Sequence, residues 1–125
     1  MALQTGMTGR ASLVVSAADS ARTMRSGALD VLATPRLIAL CEEATCLAVD
    51  GALAAGQASA GIRIEFDHVC AVRAGSQVTA EAVLERVTGN RLEFSVSAHD
   101  PAGLVGSGRV TRVVVETSAF LAKAR

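Results

Sequence analysis

The spacing of apolar residues changes once along this chain of 125 residues, and that change limits the possible folds more than any other feature. From Thr34 to about residue 55 the apolar positions repeat with a helical period. From residue 61 onward, apolar and polar side chains alternate with a period of two. Helices and strands do not alternate along the chain, which argues against a parallel, doubly wound sheet.

The individual segments predict an α+β fold. We expect strands at residues 11–17, 61–70, 77–87, 91–100 and 104–116, with a mixed connection at 19–33. The helix is expected to start with Thr34 as its cap and Pro35 as its first residue, and Gly51 and Gly56 offer two possible ends. One long central helix would then be wrapped by an antiparallel β-sheet of about five strands.

The composition excludes several classes of protein. Twelve basic and twelve acidic residues give a net charge of zero, and without Trp or Tyr the chain is a poor candidate for nucleic-acid binding. No apolar run approaches the ~20 residues that a membrane span needs. Cys41, Cys46 and Cys70 lack the spacing of metal ligands, so we expect reduced thiols in a cytoplasmic protein and no metal site. The apolar half is largely Ala and Val, and such a thin core is a first indication of an oligomer.

Adjacent glutamates on the predicted helix are expected to face different surroundings, because each residue turns the helix by about 100°. Glu43 falls on the solvated side, whereas Glu42 falls at the edge of the apolar stripe. A partly desolvated carboxylate suits a base or a nucleophile. The alternative is an ordinary edge glutamate that reaches into water. The expected stripe comprises Leu37, Ile38, Cys41, Ala44, Thr45, Ala48, Val49 and Ala52.

A histidine interrupts an otherwise apolar strand face. His68 shares its predicted face with Ile62, Ile64 and Phe66, and this face is expected to meet the helix that carries Glu42. A carboxylate and an imidazole converging on an apolar cleft form an acid/base pair. The alternative is a buried histidine that is hydrogen-bonded to a backbone carbonyl. His99 is expected to be solvated.

The helix start LATPRLIALCEEA (residues 32–44) and the glycine-to-histidine strand SAGIRIEFDH (59–68) resemble segments of the fluoroacetyl-CoA thioesterase-like family of small hotdog proteins. The resemblance covers nearly the whole chain. The closing segments FSVSAHD (94–100), GSGRVTR (106–112) and FLAKAR (120–125) are also similar. The resemblance implies a single hotdog thioesterase-like domain over residues 1–125.

The resemblance also implies roles for individual residues. By position, Thr34, Glu42 and His68 correspond to the family's catalytic threonine, glutamate and histidine. Gly61 corresponds to the glycine whose backbone N–H lies near the thioester carbonyl, and we assign it to substrate binding with its neighbour Ile62. Arg112 corresponds to a late-strand arginine, and we assign it to substrate binding, where it or other arginines could contact phosphates of coenzyme A. If Thr34 caps the helix, Glu42 lies about 12 Å further along its axis. His68 would then have to bridge them, the helix would have to start later, or Thr34 would serve a site shared with a second subunit.

This sequence departs from the family pattern at three points. Pro35 stands where a glycine follows the threonine, and Ile62 stands where a small or hydroxyl residue follows the glycine. The segment before Thr34 lacks the phenylalanines of the family's hydrophobic lid, so we do not carry over specificity for fluoroacetyl-CoA. Arg63 occupies the position where the hotdog hydratases have an aspartate, which argues against a hydratase.

The sequence thus predicts an acyl-CoA thioesterase that hydrolyses a small or medium acyl thioester. We expect no cofactor beyond coenzyme A as part of the substrate, no nucleic-acid or membrane partner, and a homodimer or higher oligomer in the cytoplasm. Two alternatives stay open: a non-catalytic acyl-CoA-binding hotdog protein, and a thioesterase that acts on an acyl-carrier protein.

Overall fold

The computed structural model describes residues 2–125. It contains five strands and three α-helices. The strands are β1 (Thr8–Val14), β2 (Gln57–His68), β3 (Gln77–Thr88), β4 (Arg91–Asp100) and β5 (Gly103–Glu116), and the helices are α1 (Ala21–Met24), α2 (Thr34–Val49) and α3 (Thr117–Ala122). Short 3-10 turns cover Ala17–Asp19 and Asp50–Ala52.

All strand pairs are antiparallel, in the order β1-β3-β4-β5-β2. Helix α2 lies across one face of this sheet, so the predicted α+β architecture is confirmed. Strands β1 and β2 form the two edges. The predicted bounds of β4 are correct, whereas β1 begins three residues earlier than predicted and β2 begins four residues earlier. No helix among residues 2–125 combines the length and apolarity needed to cross a bilayer.

The start of α2 differs from the prediction by one residue. Ala33 is the cap, Thr34 is the first helical residue, and Pro35 follows it. Proline is tolerated in the first turn because the N–H that it lacks would have no partner there. The prediction of Thr34 as the cap is therefore wrong, and its hydroxyl group is free for another partner.

The core lies between α2 and the sheet. Gly9 of β1 lets the helix come close, since a Cβ atom there would collide with the Ala44 carbonyl oxygen and the Ala48 nitrogen of α2. Leu40 is buried although we placed it outside the apolar stripe, while Ile38, Ala48 and Ala52 are only partly buried. The helix buries Leu37, Leu40, Cys41, Ala44, Thr45 and Val49.

Edge strand β2 departs from simple alternation. Gly61 pairs with Arg112 and Arg63 pairs with Thr111, so Ile62 is an extra, bulged residue. The expectation that the whole face of Ile62, Ile64, Phe66 and His68 is buried against the helix is wrong. Ile62 is 51% exposed and Ile64 is 37% exposed, and only the last two residues are partly buried. The free edge of β2 and its exposed isoleucines leave this side of the chain open.

Candidate active site

The first end of the site joins the start of α2 to the end of β2. The hydroxyl oxygen of Thr34 lies 2.8 Å from Nδ1 of His68, within hydrogen-bond distance. The Nε2 atom of the same ring is buried and has no hydrogen-bond partner within residues 2–125. Buried polar atoms almost always have a partner, so this unpaired nitrogen sets His68 apart from an ordinary buried histidine. The histidine is held by Thr34 and not, as the alternative interpretation had it, by a backbone carbonyl.

A cavity of about 350 Å³ adjoins this hydrogen-bonded pair. Its walls come from the segment before α2 and from the residues that follow β2, and its lining contains no Asp, Glu, Lys or Arg. The lining residues are Ala21, Ser26, Gly27, Ala28, Leu29, Val31, Leu32, Thr34, His68, Val69, Cys70 and Ala71. A volume above 300 Å³ lies in the range of small-molecule pockets.

An ion pair holds one wall of this cavity against α2. Asp19 Oδ1 lies 3.2 Å from Nε of Arg36, and both side chains are largely buried. The Ser16 backbone N–H is the main cause that lowers the pKa of the Asp19 carboxyl, with Arg36 adding to the effect. The carboxylate therefore stays charged near neutral pH and ties the segment before α1 to the first turn of the long helix.

The second end of the site is charged. Glu42 lies in the middle of α2 with its side chain 35% exposed, and its Oε2 atom accepts a hydrogen bond from Nη1 of Arg112 at 3.4 Å. The arginine side chain is only 8% exposed. Its other donors go to Ser59, with Nε donating to the hydroxyl oxygen at 2.9 Å and Nη2 to the carbonyl oxygen at 3.0 Å. The contact of Arg112 with phosphates of coenzyme A stays a prediction, and in this structure its guanidinium is buried and bound within the chain.

Gly61 belongs to this charged end. A Cβ atom at this position would lie 2.6 Å from Oε2 of Glu42 and 3.4 Å from Nη1 of Arg112, so only glycine leaves room for the carboxylate. Simple alternation would place Gly61 and His68, seven residues apart, on opposite faces of β2. The bulge at Ile62 adds one residue, so both positions face α2. Ile62 itself lies exposed at the free edge.

The structure thus brings the predicted residues together in two groups. Thr34 and His68 form one group, and Glu42, Gly61 and Arg112 form the other. The eight residues from Thr34 to Glu42 advance the helix by about 12 Å. Of the three resolutions that the sequence left open, a later helix start is excluded, because α2 already includes Thr34.

Sequence reasoning missed Ser59. It lies 53 residues from Arg112 in the sequence, and nothing in its local pattern distinguishes it from other strand serines. The only signal was its place at the start of the family-like stretch 59–68. Within residues 2–125 there is no group of three or more His, Cys, Asp or Glu side chains that could hold a metal ion.

Comparisons with known proteins show the family to which the chain belongs. The sequence model of a family described as "Fluoroacetyl-CoA-specific thioesterase" matches residues 15–118. The fluoroacetyl-CoA thioesterase of Streptantibioticus cattleyicolor is 38% identical over 96 residues, which cover 77% of this chain and 69% of that protein.

Solved structures give the same result. A structure of the fluoroacetyl-CoA thioesterase is 31% identical with a TM-score of 0.92, covering 98% of this chain and 96% of that chain. A hot-dog-like protein from Thermanaerovibrio acidaminovorans is 31% identical with a TM-score of 0.88, covering 97% and 90%. The hotdog fold and the family inferred from the sequence are both confirmed. The chain belongs to the fluoroacetyl-CoA-specific thioesterase family and is a thioester hydrolase.

Proposed function

We propose that this protein hydrolyses acyl-CoA thioesters with Glu42, His68 and Thr34 as its catalytic residues. The observation that carries the proposal is the Thr34–His68 hydrogen bond beside the cavity, which leaves Nε2 of the ring without a partner among residues 2–125. A histidine oriented through one nitrogen can exchange a proton with substrate through the other.

Glu42 supplies the negative group that starts the reaction. As a general base, it takes a proton from water, and the resulting hydroxide attacks the thioester carbon. As a nucleophile, it attacks that carbon itself and forms an anhydride that water then hydrolyses. Single-turnover hydrolysis in ¹⁸O-water separates the two routes, because only the anhydride route can place ¹⁸O in the Glu42 carboxylate.

The remaining groups act on the charge that develops during the reaction. In either route the attacked carbonyl oxygen becomes negative, and the Gly61 N–H and the Thr34 hydroxyl are the donors that stabilise it, while Nδ1–H of His68 donates to the Thr34 oxygen. The carbon–sulfur bond then breaks, and the thiolate of coenzyme A takes the Nε2 proton of the His68 ring. The ring regains a proton from the carboxylic acid that hydrolysis forms. Every step uses water and side chains of the protein, so we propose that no cofactor or metal takes part. Activity that survives dialysis against EDTA tests this.

The cavity beside His68 is our candidate for the acyl group. A group the size of a water molecule takes up about 30 Å³, so 350 Å³ has room for acyl chains longer than acetyl. Its uncharged lining suits a hydrocarbon chain. The relative from Streptantibioticus cattleyicolor is named for fluoroacetyl-CoA. We propose that this protein instead prefers acyl groups of about four to six carbons, which fill the cavity better than acetyl.

We further propose that the protein works as a homodimer joined along the free edge of β2. The residues from 2 to 125 expose 7211 Å², whereas a folded monomer of 12.8 kDa is expected to expose about 6,300 Å². The free strand edge and the exposed Ile62 and Ile64 are features that a second copy would cover.

Such a dimer would also explain why the site residues fall into two groups. If two β2 strands pair antiparallel about a two-fold axis between Ile64 and Glu65, Gly61 of one copy lies opposite His68 of the other. The Thr34–His68 pair of one subunit would then face Glu42 of the second. The distance of about 12 Å between Thr34 and Glu42 along a single helix would then not prevent these residues from acting on one substrate.

The activity is tested by offering the purified protein a panel of acetyl-, fluoroacetyl-, butyryl- and hexanoyl-CoA and following thiol release. We expect turnover, with kcat/KM higher for butyryl- or hexanoyl-CoA than for acetyl-CoA. Binding without turnover would support the acyl-CoA-binding alternative, and turnover only of acyl-carrier protein would support the carrier-protein alternative. Either result would overturn the proposal.

The shared site is tested by mixing two inactive variants, Glu42→Gln and His68→Ala. If each site takes these residues from different subunits, a mixed dimer contains one intact site and regains activity. If each site lies within one chain, mixing restores nothing. Light scattering on the wild-type protein gives the oligomeric state directly.

We also propose a cytoplasmic location. Cys41, Cys46 and Cys70 are all free thiols, which is typical of proteins in reducing compartments. Fractionation of cells that express the tagged protein tests this.

A further inference from the structure

Ser59 binds Arg112 in a way that fixes the direction of the guanidinium group. The Nε and Nη2 donors lie on one edge of that planar group, and Ser59 accepts both, through its hydroxyl oxygen at 2.9 Å and its carbonyl oxygen at 3.0 Å. Two parallel hydrogen bonds define the orientation of a guanidinium plane better than one. The remaining donor, Nη1, is thereby directed at Glu42.

The same contact distinguishes the two oxygens of the Glu42 carboxylate. Oε2 accepts from Arg112 and faces the Cα of Gly61, where any side chain would collide with it. Within residues 2–125, the hydrogen-bond partner of this carboxylate is Arg112, at Oε2 alone. Oε1 is therefore the oxygen left to take a proton from water or to attack the thioester.

We propose that Ser59 is a positioning residue of the thioesterase site, which acts through Arg112 to hold Oε2 of Glu42 and leave Oε1 as the reacting oxygen. This inference rests on the proposed function of Glu42. Loss of the hydroxyl would leave Nε of an arginine that is only 8% exposed without its acceptor. The guanidinium would then turn away from its present plane, and the carboxylate would lose its fixed orientation.

The test compares three variants with the wild type. A small misplacement of a reacting group costs up to about 100-fold in rate, so we expect Ser59→Ala to lower kcat by about 10- to 100-fold while KM changes by less than about twofold. Ser59→Thr keeps a hydroxyl group and should recover most of kcat. Ser95→Ala is the matched control, because Ser95 is also a strand serine whose hydroxyl group is hydrogen-bonded to a charged side chain, here as the donor to Glu85 at 2.7 Å.

A second readout does not depend on activity. The Nε–H signal of Arg112, assigned by its loss in Arg112→Lys, should exchange slowly with water in the wild type. It should shift and exchange faster in Ser59→Ala, but not in Ser59→Thr or Ser95→Ala. An unchanged signal in Ser59→Ala would overturn the fixed orientation, and an unchanged kcat would overturn the positioning role. If the wild type hydrolyses no thioester, the proposed function fails, and the NMR comparison alone decides whether Ser59 orients Arg112.

Discussion

The two ends of the candidate site are built on different principles. At the start of α2, Thr34 and His68 make a single hydrogen bond beside an open cavity, and one ring nitrogen is left without a partner among the described residues. In the middle of α2, Glu42 is held by a buried arginine that is itself bound by a strand. One end is arranged to receive a group, and the other to orient a charge.

This difference indicates that the two ends have different roles in the reaction. A proton-transferring histidine must be able to reach substrate, and the ring of His68 lines the cavity that we propose for the acyl group. A carboxylate that attacks or activates water benefits from a fixed direction, because misaligned reacting groups lose rate steeply. Changes at the charged end should therefore act mainly on kcat, and changes at the cavity end on both kcat and KM.

The largest expected effect is at the charged end. Glu42→Gln removes the only carboxylate of the proposed mechanism while keeping its shape, so we expect kcat to fall by about 10³-fold or more. Its neighbour Glu43 is exposed to solvent, and Glu43→Gln should stay within about twofold of the wild type. Thiol release from butyryl-CoA measures both variants, and circular dichroism checks their folding. Full activity of Glu42→Gln would contradict the assignment.

The next effect is expected at His68. His68→Ala removes the proton carrier, so kcat should fall by about 10²- to 10³-fold. Because the ring also lines the cavity, KM should rise, in contrast to Glu42→Gln. His99→Ala is the control, since the structure places that histidine on β4 and exposed to solvent. Equal effects of the two alanine variants would mean that His68 has no special role.

A smaller loss of kcat is expected when a substitution at Gly61 displaces the carboxylate oxygens of Glu42. The added methyl group of Gly61→Ala would lie 2.6 Å from Oε2, so the carboxylate must move, and we expect kcat to fall by about 100-fold. Gly51→Ala is the matched control, because a Cβ atom there meets nothing within 4 Å. If Gly61→Ala keeps full activity, the contact between Gly61 and Glu42 is not important for catalysis.

The smallest effect is expected from labelling thiols at the two ends. Cys70 is exposed and lines the cavity, so iodoacetamide should modify it and lower activity partially. Cys41 precedes Glu42 but faces the core, and burial raises the pKa of its thiol to about 12. At pH 8 it therefore stays protonated and unreactive. Mass spectrometry of the labelled peptides identifies the sites, and rapid labelling of Cys41 in the folded protein would contradict the structure.

Periodicity and turn residues predicted most of the fold. The bounds of β4 follow from strict alternation between two turn signals, and the position of α2 follows from its apolar spacing with Pro35 near its start. Of the two ends that the sequence offered for α2, Gly51 is close to the observed one, since the helix ends at Val49 with Asp50 as its C-cap, whereas Gly56 lies seven residues past Val49 and follows a 3-10 turn. Local pattern alone does not show where a 3-10 turn replaces the last helical turn.

The site residues were predicted better than their arrangement. Thr34, Glu42 and His68 stood out as polar residues in apolar surroundings, and the family resemblance pointed to the same three. The role of Arg112 was missed because burial of a late-strand arginine depends on which residue of β2 lies opposite. The pairing of Gly61 with Arg112 follows from strand register over 51 residues of sequence, and a single sequence does not reveal it.

The bulge at Ile62 fixes which faces of β2 carry Gly61 and His68, and this limits how the strand can be engineered. Gly61 and His68 face the same helix only because one unpaired residue stands between them. Inserting or deleting one residue in this stretch would turn one end of the site away from α2. A two-residue change would preserve the facing and slide His68 by about 6.6 Å. Loop grafts and chimeras that cut within β2 should therefore keep residues 61–68 as one block.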